Sequence, residues 1–215
     1  MSQLYPEIKQ TAHIKIDNLS MSRGGTALFS GISVSIDTGQ ILWIHGGNGI
    51  GKTTLLDGLC GLRKPDTGEV VWQHNGVPCL ASDIIAYQPH SSFAKAEMSA
   101  AEDLTFWGKI YGGMDLITAT LDYVGLVQKT SVPCGRLSAG QRRRLALAKL
   151  IISQKPIWVM DEPTAAIDAS GSEMFDALIR AHISRGGTAI IASHAQAQSL
   201  GPSTRKLTLL SLIHI

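Results

Sequence analysis

The segment Gly46-Gly47-Asn48-Gly49-Ile50-Gly51-Lys52-Thr53 constrains this chain more than any other. It follows Ile41-Leu42-Trp43-Ile44, a short unbroken apolar run of the kind expected for a strand buried on both faces. It precedes Thr54-Leu55-Leu56-Asp57-Gly58-Leu59-Cys60, which has helical spacing and ends near Gly61. Strand, glycine-rich loop and helix in that order form an anion cradle. Glycines let the backbone curl so that successive N–H groups converge, and the helix N-terminus adds positive potential. The terminal Lys-Thr pair then specifies a nucleoside triphosphate. Lys52 is expected to reach the β- and γ-phosphates and the Thr53 hydroxyl to ligate Mg²⁺, with Gly46 to Thr54 forming the nucleotide-binding loop. By itself the loop does not separate kinases, GTPases and transport ATPases.

The flanking pattern predicts an α/β fold. His13 to Asp17 and Ile32 to Ile36 alternate in strand fashion, with Gly24-Gly25 between. Ile84 to Tyr87, Ile157 to Met160 and Thr188 to Ala192 read as further buried strands, whereas Pro89 to about Ala148 is mainly helical. A doubly wound core with a helical lobe inserted in its middle is the expectation. With 44% hydrophobic and 17% charged residues, the composition suits a compact domain.

A net charge of +2 gives no broad attraction to nucleic acid, and the run Arg142-Arg143-Arg144 is expected to be a solvated helix face. Three scattered cysteines read as reduced thiols, and seven dispersed histidines show no metal-ligand spacing. Met1 to Glu7 shows no signal peptide. No stretch reaches the roughly 20 apolar residues a bilayer span needs. The longest, Leu207 to Ile215, reads as a terminal strand or helix. The chain is expected to be soluble and to reach a membrane only through a partner.

Two further sites carry chemistry. Ile157-Trp158-Val159-Met160 runs into Asp161-Glu162 at a strand's carboxyl end. Asp161 can there meet Mg²⁺ beside Thr53, and Glu162 can polarise the water that attacks the γ-phosphate. Leu137-Ser138-Ala139-Gly140-Gln141 opens a helix, where Ser138 and the Gly140 backbone offer donors to a phosphate. In isolation such a pentapeptide is a helix cap, and kinases and GTPases have no use for it.

In this order the motifs resemble those of ABC ATPases over nearly the whole chain, with Ala139 standing for a glycine of the usual L-S-G-G-Q. The resemblance implies a P-loop NTPase core with an N-terminal antiparallel β subdomain and an inserted helical subdomain. It implies a single nucleotide-binding domain, core about 1–88 and 149–215 and helical subdomain about 89–148. Gln88 resembles the Q-loop glutamine that meets Mg²⁺ and water, Asp168 of Ala166-Ile167-Asp168 the D-loop that crosses to the opposite subunit, and His194 the switch histidine on the γ-phosphate. Where many members carry an aromatic residue on adenine, this chain has Arg23, whose guanidinium can still lie flat on a base.

Ala27 to Ser33, Gly61 to Trp72, Gln88-Pro89, Ala101 to Leu104 and Pro163 to Asp168 resemble the haem exporter ATP-binding family of bacterial cytochrome c maturation. That implies ATP and Mg²⁺, a homodimer of ATPase subunits, small integral membrane partners, and a place on the cytoplasmic face of the bacterial inner membrane. No haem-binding constellation is visible, so the resemblance implies an ATPase that powers haem handling without touching haem. An exporter of lipid, drug or lipoprotein stays open, as does a soluble ABC protein on ribosomes or DNA, although the latter usually has two ATPase domains or long inserts.

Overall fold

The computed structural model describes residue 8 and residues 11–91, 94–165, 167–194 and 203–209. The readings of Met1 to Glu7, of Ala166 and of the tail beyond Leu209 fall outside the described residues. In chain order the elements are β1 (Ala12–Arg23), β2 (Thr26–Ile36), β3 (Ile41–His45), α1 (Lys52–Leu59), β4 (Thr67–His74) and β5 (Val77–Pro78). There follow α2 (Ala81–Ile84), β6 (Ile85–Gln88), α3 (Ala100–Tyr111), α4 (Ile117–Tyr123) and α5 (Ala139–Ser153). After these come β7 (Ile157–Asp161), α6 (Ala169–Ser184), β8 (Thr188–Ser193) and β9 (Thr204–Thr208).

The strands form two sheets. An antiparallel sheet has the order β2-β1-β4-β5, with β1 and β2 joined through Gly24-Gly25. A parallel sheet has the order β6-β7-β8-β3-β9. The start of the apolar tail, Leu207, is thus part of an edge strand beside β3.

Why β3, β7 and β8 lack polar alternation is visible in where their side chains go. Trp43, Trp158, Met160, Ala189 and Ile191 enter one core with Leu145, Leu147 and Ile151 of α5 and Phe175 and Leu178 of α6. Their neighbours Leu42, Ile44, Ile157, Val159, Ile190 and Ala192 enter a second core with Leu55, Leu56 and Leu59 of α1 and Ile14, Ile16 and Phe29 of the antiparallel sheet. Successive strand side chains point to opposite faces, so two cores demand two apolar faces.

Helices α3, α4 and α5 sit between β6 and β7 in sequence and pack on the first core. Ser99 caps α3, its hydroxyl accepting from Glu102 N–H at 3.2 Å while Glu102 accepts from Ser99 N–H at 2.8 Å. Buried Asp103 of α3 and half-buried Lys149 of α5 form an ion pair at 2.7 Å that joins the two helices. Among the described residues, no helix is long and apolar enough to cross a membrane.

Candidate functional site: a phosphate-binding cleft with paired carboxylates

Four of the chemically suggestive segments leave the carboxyl end of a parallel strand. The glycine-rich loop follows β3, Gln88 ends β6, Asp161-Glu162 end β7 and His194 follows β8. Parallel strands put those ends on one edge of the sheet, where α/β folds bind ligands. The loop between β3 and α1 is tightly turned. Gly51 takes φ +107° as the N-cap of α1, and a side chain there would also press on Leu28 at 3.1 Å.

Lys52 is 7% exposed, and its ammonium donates to the carbonyls of Gly46 at 2.8 Å and Gly47 at 3.1 Å. The same ammonium lies 3.5 Å from Glu162 Oε1. Thr53 donates its hydroxyl to Asp161 Oδ2 at 2.6 Å, joining residues 108 apart in sequence. A cavity of about 240 Å³ opens over them, and Arg23, Gly47, Asn48, Gly49, Gly51 and Thr54 line it as well. Gly46 and Ile50 do not face the cavity; Ile50 packs against Gly46 and the second core.

Glu162 is fixed from four directions. Its backbone takes φ +48° and its N–H donates to Ala192 of β8 at 2.8 Å. Its carboxylate accepts from Ser193 Oγ at 3.2 Å and His194 N–H at 3.1 Å, and meets His194 Nδ1 at 2.9 Å. A carboxylate so held presents a defined lone pair to a water beside a bound phosphate.

The remaining expected residues lie elsewhere. Gln88 lines a neighbouring groove with Tyr87, Trp107, Tyr111 and Lys149; it is buried with neither amide atom bonded. Ser138 caps α5, accepting from Gln141 N–H at 3.1 Å while Gln141 accepts from Ser138 N–H at 2.9 Å. Leu137 is buried beneath it, and Ser138 and Ala139 are exposed, outside the cavity. Asp168 caps α6 through Gly171 N–H at 2.9 Å.

One expectation needs correction. Arg142, Arg143 and Arg144 are not a solvated face, since all three are half-buried and packed within this chain. Arg142 donates to the Leu137 carbonyl, and Arg144 donates to Asp168 at 3.0 Å. Burial pushes the Arg143 guanidinium below its ordinary range, and the charges of Asp161 and Glu162 oppose that shift. The helix runs alongside the site instead of facing away from it, which a local charge count does not reveal.

Sequence reasoning also missed Ser193 and His90. Ser193 could have been found, being a hydroxyl at a strand's carboxyl end next to His194. His90, which lines the cavity, follows no spacing rule.

A lysine-bearing loop, a hydroxyl–carboxylate pair and an oriented glutamate, together with an inserted helical lobe, define an ATP-binding component of the ABC type. Residues 29–165 match the family model described as ABC transporter. Cytochrome c biogenesis ATP-binding export protein CcmA of Roseobacter denitrificans is 40% identical over 196 residues, covering 88% of this chain and 91% of that protein. CcmA of Brucella abortus is 41% identical over 184 residues, covering 84% and 85%. A solved structure from Pyrococcus furiosus, assigned to the ABC transporter ATP-binding proteins, superposes with a TM-score of 0.75 at 27% identity, covering 92% of this chain and 97% of that one. The chain belongs to the ABC transporter family, in the branch of the CcmA proteins. ATP hydrolysis coupled to transport is the activity of that family.

Proposed function

We propose that this chain is the ATP-hydrolysing component of a membrane export complex that powers haem handling in bacterial cytochrome c biogenesis. The observation that carries the reading is the 40% identity to a cytochrome c biogenesis ATP-binding export protein over most of both chains. The cargo rests on that likeness, and the ATPase chemistry on the residues of the cleft.

Lys52, between the loop and Glu162, supplies the positive charge for the β- and γ-phosphates. Glu162 orients the attacking water and takes its proton, while Ser193 and His194 hold the carboxylate in place. His194 is well exposed, so the edge of its ring turned away from Glu162 is open to the γ-phosphate. Thr53 and Asp161 suit Mg²⁺: a hydroxyl and a carboxylate are hard donors, and such an ion takes its other ligands from phosphate and water. Bound there, it would neutralise charge on the phosphates. Gln88, with an unbonded buried amide next door, is the third ligand in this reading, entering when its loop moves.

In this reading the chain is one nucleotide-binding domain with its helical subdomain at about 89–148. Exposed Ser138 and Ala139, with half-buried Gly140 beside them, then complete the site of a second copy, and Asp168 travels with them. The groove beside Gln88, walled by Trp107 and Tyr111, suits a short segment of a small integral membrane protein. Docking there and nucleotide state would bias each other through one loop. The ATPase would then sit on the cytoplasmic face of the inner membrane.

The test is genetic. A strain carrying only the Lys52→Ala protein should lose c-type cytochromes and keep b-type cytochromes, which need no covalent haem attachment. Normal c-type cytochromes in that strain would reject the haem assignment and leave the ATPase standing.

A further inference from the structure

We propose that Arg144 is a positioning residue that clamps the D-loop to the signature helix, so that the two elements presented to a second copy advance as one piece. The inference rests on the dimer reading above and adds a physical link between its two halves.

The geometry centres on one oxygen. Asp168 Oδ1 accepts from Gly171 N–H at 2.9 Å, which caps α6. The same oxygen accepts from Arg144 Nη2 at 3.0 Å and from Ser170 Oγ at 3.1 Å. Arg144 Nη2 also donates to Ser170 Oγ at 3.1 Å. Cap and clamp therefore share an acceptor, and pulling the D-loop from α5 disturbs the first turn of α6. These donors hold the Asp168 carboxyl below its usual range, so it stays ionised.

The other terminal nitrogen of the guanidinium lies near a second element. A side chain at Gly125, in the turn after α4, would come within 3.3 Å of Arg144 Nη1. Arg144 thus reaches both that turn and the D-loop from α5, the helix that Ser138 opens. An ion pair this exposed adds little to stability, so its effect lies in geometry. A guanidinium fork fixes direction, whereas an ammonium does not.

A simple surface ion pair predicts no such coupling, and two measurements separate the cases. First, hydrogen exchange on the free full-length chain compares Arg144→Ala with Asp168→Ser, which keeps a hydroxyl cap for Gly171. Amides from 167 to 172 should exchange faster in both variants, with β7 and β8 unchanged. Second, ATPase is measured where wild-type turnover has saturated with protein concentration. Each variant should lose about tenfold in kcat with KM within about twofold, and the double variant should fall no more than about twofold further. Arg144→Lys should recover part of the loss. Multiplying losses in the double variant, or unchanged exchange in Arg144→Ala, would overturn the clamp. Wild-type turnover per chain that stays constant as protein concentration rises would instead remove the dimer reading, and the exchange arm would still judge the tie.

Discussion

His194 holds Glu162 twice, through its backbone N–H at 3.1 Å and its ring at 2.9 Å. The two contacts differ in what a substitution can remove. Glu162→Gln deletes the base itself and should lower hydrolysis by roughly two to four orders of magnitude while leaving nucleotide binding intact. His194→Ala takes only the ring and should cost less. Turnover and ATP-analogue affinity measured on both variants check this; near-normal turnover in Glu162→Gln would move the base elsewhere.

A split site has a kinetic signature. Lys52, Thr53 and Asp161 stand on one side of the cleft, and Ser138 and Gly140 lie outside it at the start of α5. Turnover per chain should rise with protein concentration and then level off as dimers fill. A flat profile from a verified monomer would sink the sandwich arrangement.

Arg23 lines the cavity, and in the nucleotide-binding reading it takes the place of an aromatic ring beside the base. Stacking by a guanidinium is indifferent to which purine it covers. ATP and GTP should therefore bind within about tenfold of each other. Competition binding decides this, and a hundredfold preference for ATP would mean that another residue reads the base.

His182 offers a pH test away from the cleft. It is 1% exposed, stacked on Trp158 at 3.7 Å, with Nε2 placed 3.2 Å from the carbonyls of Pro156 and Thr188. Burial pushes its pKa down to about 3. The unfolded histidine, near 6.5, takes up a proton that the folded one refuses, so stability falls as pH drops from about 6.5 toward 3. One proton sets a slope of at most about 1.4 kcal/mol per pH unit. Denaturant unfolding between pH 7 and 4.5 should show a shallower slope for His182→Gln than for the parent. Equal slopes would assign the acid sensitivity to carboxylates.

The cleft was readable because its chemistry is compact in sequence: one loop, and two acids on one strand end. Strand identities were readable because Ile41 to Ile44 and Ile157 to Met160 are apolar on both faces. What stayed hidden depends on contacts across the fold. Nothing local to Arg142-Arg143-Arg144 says that α5 lies against β6 and against the D-loop. Gln88 was placed by its order among motifs, which does not say that both atoms of its amide are buried without a hydrogen bond. Ser193 acts through a bond to a residue 31 positions away.

The sheet shared by two cores has a consequence for mutational tolerance. β7 and β8 are buried along their whole lengths, whereas β2 exposes many of its residues. A truncation such as Ile→Ala inside β7 or β8 opens a void costing about 2–5 kcal/mol, against a total stability of about 5–15 kcal/mol. The strands that carry Asp161, Glu162 and His194 thus have almost no neutral positions. Tolerance for substitution should therefore be greater along β2, and the edge that carries the cleft is anchored in the part of the molecule least free to change.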